Sequence, residues 1–233
     1  METGPGTPNW VPIEQISAFM LQAVLAQEDA GFFRHHGFAV AEIEKALAAN
    51  LEAGRFVKGA STISMQLVKN LILHRKKTLA RKFQEVILTW WVEEALDKKD
   101  ILELYLNVIE FGPDIYGIKA AARHYFGRYP AELSPAESVF LSTILPNPKG
   151  YYPQYERESL SPRWRTRMQR RLEHMYARGR IDQAALSYGL KELENFHFFK
   201  GNGMAGARVI EGNPTPLPYQ NGEDYETYKG VSE

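Results

Sequence analysis

Between Glu52 and Glu85 the chain carries no acidic residue, yet it carries eight cations: Arg55, Lys58, Lys69, Arg75, Lys76, Lys77, Arg81 and Lys82. The whole sequence balances 28 basic against 28 acidic side chains, so the fold must accommodate a local positive field in a neutral protein. Charge runs are most often solvated faces. Two features point elsewhere. A small-residue turn, Gly59-Ala60-Ser61-Thr62, opens a segment of helical period, and free N–H groups at a helix start are a ready anion site. Ser61 is the expected N-cap. Thr62, Gln66 and Lys69 then fall at i, i+4 and i+7 on one face, opposite a buried face of Ile63, Leu67 and Leu71. Hydroxyl, amide and ammonium would converge on a polyanion, and a phosphate or pyrophosphate is the simplest partner.

Net charge near zero argues against a general nucleic-acid binder, though not against a local anion site. A chain of 233 residues can bury a sizeable core. It has no cysteine, which excludes disulfides, Cys-ligated zinc and thiol nucleophiles and suits an oxidising compartment. No apolar run reaches the ~20 residues of a membrane span. The opening METGPGTPNW is small and polar, unlike a signal peptide, and residues 1–12 read as a linker.

Apolar residues from Ile13 to Val24 repeat with helical period, and the segment ends at Gln27. Glu28 and Asp29 follow, then Phe32, Phe33, His35 and His36. A helix C-terminus disfavours carboxylates, and apolar neighbours raise their pKa, so Glu28 is a candidate general base. The alternative is a solvated acidic turn. A second helix is expected over 41–53, with Ile43, Ala46, Leu47 and Leu51 inward. Thr78 is expected to cap a long helix reaching about residue 96 and partly burying Leu79, Phe83, Val86, Ile87, Trp90 and Trp91. On that helix Glu85 lies within reach of Arg81 and Lys82, an arrangement that also fits a helix-surface ion pair. Asp100 is read as the cap of the next helix. Ser134-Pro135-Ala136-Glu137 is a capping box with proline at the first helical position. The helix from Pro162 buries Trp164, Met168, Leu172 and Met175 and turns Arg163, Arg167, Arg170 and Arg171 to solvent, or to an anionic membrane surface. A short helix follows Asp182. From Gly201 onward the composition predicts little fixed structure. There are no internal repeats and almost no strand pattern.

These residues resemble a known family. Glu28-Asp29-Ala30-Gly31-Phe32-Phe33-Arg34-His35-His36-Gly37 is similar to the E-D-x-x-F-x-x-H-x-G motif of peptidoglycan glycosyltransferases, glycosyltransferase family 51. Gly59-Ala60-Ser61-Thr62-Ile63-Ser64-Met65-Gln66 resembles G-x-S-T-I-x-Q-Q, continued by Lys69-Asn70. Arg81-Lys82-Phe83-Gln84-Glu85 resembles R-K-x-x-E. The stretches KKDILELYLN, from Lys98, and YGIKAAARHYFG, from Tyr116, match the two motifs that follow. Five motifs in order over residues 13–153 make a specific signal.

The resemblance implies a mainly α, bilobal, lysozyme-like transglycosylase core over 13–153. Residues 154–200 are then a C-terminal helical extension and 201–233 a low-structure tail. It implies an inverting glycosyltransferase that joins lipid II disaccharides into glycan strands. Glu28 would be the general base and Glu85 the second catalytic carboxylate. Asp29, Phe32, His35, Ser61, Thr62, Gln66, Lys69, Lys77, Arg81 and Lys82 would bind substrate. A divalent cation, magnesium or manganese, is the cofactor expected beside the pyrophosphate. The expected partners are lipid II, the growing glycan chain, the bacterial membrane surface and cell-wall synthases, in a periplasmic or other extracytoplasmic setting. Three positions depart from the motifs: Met65 replaces a glutamine, Ala39 an aspartate and Lys77 an arginine. Met65 and Ala39 motivate an alternative, a weakened or inactive relative that binds lipid-linked sugar or a cell-wall partner. A lysozyme-type hydrolase with Glu28 and Glu85 as paired carboxylates is a third reading, and the cationic run speaks against it.

Overall fold

The computed structural model describes residues 4–55, 57, 59–71, 79–157, 159–201, 203–206 and 208–217. Helices α1 (Ala18–Glu28), α2 (Val40–Ala53), α3 (Ile63–Leu71), α4 (Leu79–Ala95) and α5 (Lys98–Val108) lead into a short antiparallel hairpin, β1 (Glu110–Gly112) and β2 (Ile115–Tyr116). After it come α6 (Ile118–Phe126), α7 (Pro135–Ile144), the single-turn α8 (Pro148–Tyr151) and α9 (Pro153–Glu156), α10 (Pro162–Ala177) and α11 (Gln183–Glu194). The chain is mainly helical, as its periodicity predicts.

Every residue of α7 is buried. Its start is fixed by the reciprocal cap legible in the sequence: Ser134 Oγ accepts the Glu137 N–H, and Glu137 Oε2 accepts the Ser134 N–H. Helices α1, α10 and α11 pack around α7. A second group packs α3 against α4 and α5, and α5 also meets α6. One continuous apolar core joins the two groups, with Phe19, Met20 and Val24 from α1, Ile63 and Leu67 from α3, and Ile101, Tyr105 and Leu106 from α5. At the hairpin Glu110 pairs with Tyr116 and Gly112 with Ile115, and the turn residue Asp114 takes φ 59°. Gly127 closes α6 in the left-handed conformation, φ 61°.

Several local expectations are corrected. The first helix begins at Ala18, after a separate 3-10 turn over Ile13–Gln15. Asp97 holds the N-cap position of α5, and Asp100 sits inside its first turn. Ser61 is exposed, and Thr62 is the residue that caps α3: its Oγ1 accepts the Met65 N–H at 3.2 Å. Leu71 is exposed. Thr78 lies outside the described residues, and so does the side chain of Leu79. The apolar stripes of α2 and α4 are the largest departure. Of α2 only Ala46 is buried, and Ile43, Leu47 and Leu51 face outward, Leu51 at 74% exposure. Phe83, Val86, Ile87, Trp90 and Trp91 of α4 are likewise exposed, Trp91 at 61%. Periodicity identified both helices, but an apolar stripe reports only that a face avoids water, not that this chain covers it.

Both ends of the described chain lie outside the helices and are held by contacts. Trp10 Nε1 donates to Glu103 Oε1 at 2.8 Å, and Val11 exchanges two hydrogen bonds with the Asn107 side chain. Residues 203–206 and 208–217 carry no helix, yet they run back over the core and bury Leu217.

Candidate active site

Seven consecutive residues of α1, Phe19 to Leu25, are buried, so packing holds this helix on every side. Glu28 is its last residue. There α3 meets it: Gln66 Nε2 donates to Glu28 Oε2 at 2.9 Å, and Gln66 Oε1 accepts from the buried Tyr105 hydroxyl of α5 at 3.1 Å. With its oxygen occupied by Tyr105, the Gln66 amide can offer Glu28 only its N–H. Burial raises the Glu28 carboxyl above the usual glutamate range. The Gln66 bond and the charges of Arg171 and Lys69 pull it back, and Asp29 adds to the rise. The geometry is that of a half-buried carboxylate facing a cationic surround, poised to accept a proton.

Arg171 is the residue that sequence reasoning missed. It was assigned to the wet face of α10, with no site residue placed after Pro153. Burial, then its neighbour Arg167, lowers its pKa, while Glu28 and Tyr151 act in the opposite sense. A signal was present. Arg171 stands three residues after Met168 and seven after Trp164, so helical spacing places it with the buried stripe. Arg167 stacks beside it, 5.6 Å from the Tyr151 ring centroid and 5.3 Å from that of Trp164.

Other residues of the first two motifs build the scaffold around Glu28. Asp29 is buried, and its carboxylate accepts from His35 Nε2 at 2.9 and 3.0 Å and from the Ile63 N–H, at the start of α3, at 3.1 Å. Asp29 thus ties the end of α1 to the start of α3. Thr62 is buried too. Its hydroxyl donates to the Gly37 carbonyl at 2.6 Å while capping α3, so it is committed before any substrate arrives. Gly37 takes φ 79°, and a Cβ there would lie 2.9 Å from Thr89 Cγ2, so glycine lets this loop lie against α4. Phe32 is a core residue with Lys98 Nζ 4.4 Å above its ring. Thr62 and Phe32, expected from the motifs to bind substrate, thus hold scaffold contacts within the fold. Asp29 and His35 likewise engage each other.

Lys98 and Glu93 form a buried pair at 2.7 Å with side chains 4% and 3% exposed, and the Ser64 hydroxyl also donates to Glu93. This knot fastens α3, α4 and the start of α5 under the site. On α4, Glu85 is buried and pairs with Lys82 at 2.5 Å. It is not the surface ion pair that spacing alone allowed. Lys69 is exposed in the last turn of α3 and reaches Glu28 through its field, and Ser61 is exposed just ahead of α3. Arg81 is half-buried on α4. Lys77 lies outside the described residues. Among the described residues no three His, Asp or Glu side chains converge as a metal site. Glu85 is already paired with Lys82, and no step below is routed through the divalent cation expected beside the pyrophosphate.

Residues 3–176 match the transglycosylase family. The chain belongs to that family. Over 142 residues it is 50% identical to a biosynthetic peptidoglycan transglycosylase of Nitrosomonas eutropha, in an alignment covering 61% of this chain and 58% of that one. It is 49% identical to the protein of the same name from Azoarcus sp. over 61% of this chain and 62% of the relative. Against the one from Acinetobacter baumannii the figures are 44%, 61% and 63%. The chain therefore spans about three fifths of the length of these curated relatives. Within the transglycosylase family, two of the departures now have a physical account. Met65 is buried, whereas Gln66, retained here, supplies the amide to Glu28. Ala39 is the N-cap residue of α2 and makes no side-chain cap. An aspartate there would serve helix capping, away from the Glu28 carboxyl.

Proposed function

We propose that this chain polymerises lipid II into peptidoglycan glycan strands, with Glu28 as the general base. The acceptor sugar's 4-hydroxyl gives its proton to Glu28 as its oxygen attacks the anomeric carbon of the donor. The bond from that carbon to the pyrophosphate breaks, configuration inverts, and the lipid pyrophosphate leaves with the bonding electrons. The observation that carries the reading is Glu28 itself: half-buried, raised in basicity by the desolvation that brings, held by Gln66 and flanked by cations from two helices. A base on one side and positive charge for the departing diphosphate are what this displacement needs. Lys69 and Arg171 supply charge nearest the base, Arg81 and Lys82 extend it along α4, and the Ser61 hydroxyl adds a donor ahead of α3. Glu85 acts by orienting Lys82 toward the pyrophosphate. The printed name of the relatives, biosynthetic peptidoglycan transglycosylase, supports the same reading.

The exposed apolar faces of α2 and α4 suit apposition to the outer face of a bacterial membrane, where a polyprenyl-linked donor resides. No helix among the described residues is long and apolar enough to cross a membrane. Cell-wall synthases are the protein partners this setting would offer.

The test is gel-resolved polymerisation of lipid II in detergent, run beside Glu28→Gln after circular dichroism shows both folded. Glycan ladders from the parent and none from the variant are expected. Unchanged lipid II with the parent, or undiminished turnover in the variant, would overturn the proposal. Release of muropeptides from preformed peptidoglycan, without lipid substrate, would favour the hydrolase reading instead.

A further inference from the structure

The carbonyl end of a helix is its negative end, and Glu28 sits there, where a carboxylate is least welcome. Arg180, in the turn between α10 and α11, reaches this end of α1. Its Nη2 donates to the Ala30 carbonyl at 3.0 Å, two residues past Glu28, and its Nη1 donates to Gln22 Oε1 at 2.8 Å on the same helix. The guanidinium therefore grips α1 and the loop leaving it at two points. Gln22 is buried, and its Nε2 donates in turn to the Thr215 carbonyl at 2.5 Å. Thr215 answers from both sides of the same turn: its N–H donates to the Arg180 carbonyl at 2.8 Å, and its hydroxyl donates to the Gly179 carbonyl. Asn213 and Asp182 anchor the strap, the Asn213 N–H donating to Asp182 Oδ2 at 2.8 Å and the Asp182 N–H to the Asn213 carbonyl at 3.0 Å.

Three things set Arg180 apart from an ordinary surface arginine. It is half-buried, and that burial, then Arg34 and Arg178, disfavours its charge. Among the described residues it pairs with no carboxylate; its donors go to the Gln22 side-chain oxygen within α1 and to the Ala30 carbonyl just past its end. Its bracket is completed by residues 213–215, beyond the residues that match the family, 3–176.

We propose that Arg180 is a positioning residue for the Glu28 base. Braced by the 213–215 strap through Gln22, it holds the C-terminal end of α1 so that the carboxylate keeps its place opposite Gln66. The inference rests on the role given to Glu28 above. It adds that the segment outside the family match is part of the machinery rather than a passive tail. A planar fork gripping two acceptors is not replaced by the point charge of lysine.

The experiment uses the full chain with Arg180→Gln and Arg180→Lys. Hydrogen exchange by mass spectrometry is read on a peptide spanning residues 26–34 and, as a control, on one within α7. Lipid II turnover is resolved into kcat and KM beside the parent and Glu28→Gln. The expected result is faster exchange at 26–34 with α7 unchanged, and kcat lower by about tenfold or more with KM unmoved, since sub-ångström to ångström misplacement of a catalytic group has effects of that size. Lysine should recover only part of the loss. Unchanged exchange at 26–34 in Arg180→Gln overturns the proposal whatever the activity. Faster exchange with kcat intact, while Glu28→Gln is dead, also overturns it, because the bracket would then be structural only. Full turnover in Glu28→Gln would sink the role given to Glu28 and, with it, Arg180 as a positioning residue for that base, even if the exchange data showed the bracket to exist.

Discussion

The Lys98–Glu93 pair tests how the site is held together. Both side chains are almost fully buried, and the pair joins α4 to α5 while Glu93 also accepts from Ser64 of α3. Burial is the largest influence on Lys98 and pushes its pKa down, with Glu93 opposing it, so Glu93 is what keeps an ammonium tolerable there. Glu93→Gln would leave that charge uncompensated. Removing one partner of a buried pair costs about 3–5 kcal/mol, against about 0–1 kcal/mol for an exposed one. With a urea dependence of about 2 kcal/mol per molar, the denaturation midpoint should fall by roughly 2 M. Replacing the whole knot with apolar groups, Glu93→Leu with Lys98→Met and Ser64→Ala, should recover most of the loss, because desolvation of two ions largely cancels their attraction. Urea unfolding followed by circular dichroism measures all of these. A single variant losing less than about 1 kcal/mol would show the pair to be effectively solvated. A triple variant no better than the singles would show that packing, not charge, holds the three helices.

Three further outcomes follow from particular contacts. Ala39→Asp should stabilise the protein by about 0.5–2 kcal/mol by capping α2, with lipid II turnover unchanged; a jump in turnover would place that position in the chemistry. Arg171→Met removes a charge that favours ionised Glu28, so the acid limb of the kcat/KM profile should move to higher pH; a limb that stays put or moves down would remove Arg171 from the site. Glu192 is pushed up to about 7 from 4.5 because burial outweighs its pairing with Arg208. The folded state then binds the extra proton, so its contribution is present below pH 4.5 and is lost as pH rises toward about 7. Glu192→Gln should flatten that decline in melting temperature, and an unchanged slope would contradict the burial argument.

Much of this was legible in the sequence because the signals were local. The capping box at Ser134 and the prolines at 135 and 162 each act through their own backbone, and each stands where the sequence puts it. The joining of Glu28 to Gln66 and Lys69 was legible through motif order, not through periodicity. Other features depended on what lies across the fold. The bond from the Thr62 hydroxyl to the Gly37 carbonyl was not legible, because spacing along one helix cannot show a partner from another loop. Arg171 was read as solvated because charge suggested a wet face more strongly than its spacing suggested a buried one. The strap at 213–215 was invisible to composition, since its order comes from single hydrogen bonds to Gln22, Arg180 and Asp182 rather than from a repeating pattern.

The claim beneath all of this is that Glu28 is a carboxylate made more basic by burial and held by Gln66. Titration of the Glu28 side-chain carbon by NMR, in the parent and in Gln66→Leu, addresses it directly. The account predicts a midpoint above that of an ordinary glutamate, and a further rise when the amide that favours the charged form is removed. A midpoint at or below the ordinary value, or one indifferent to Gln66, would contradict it.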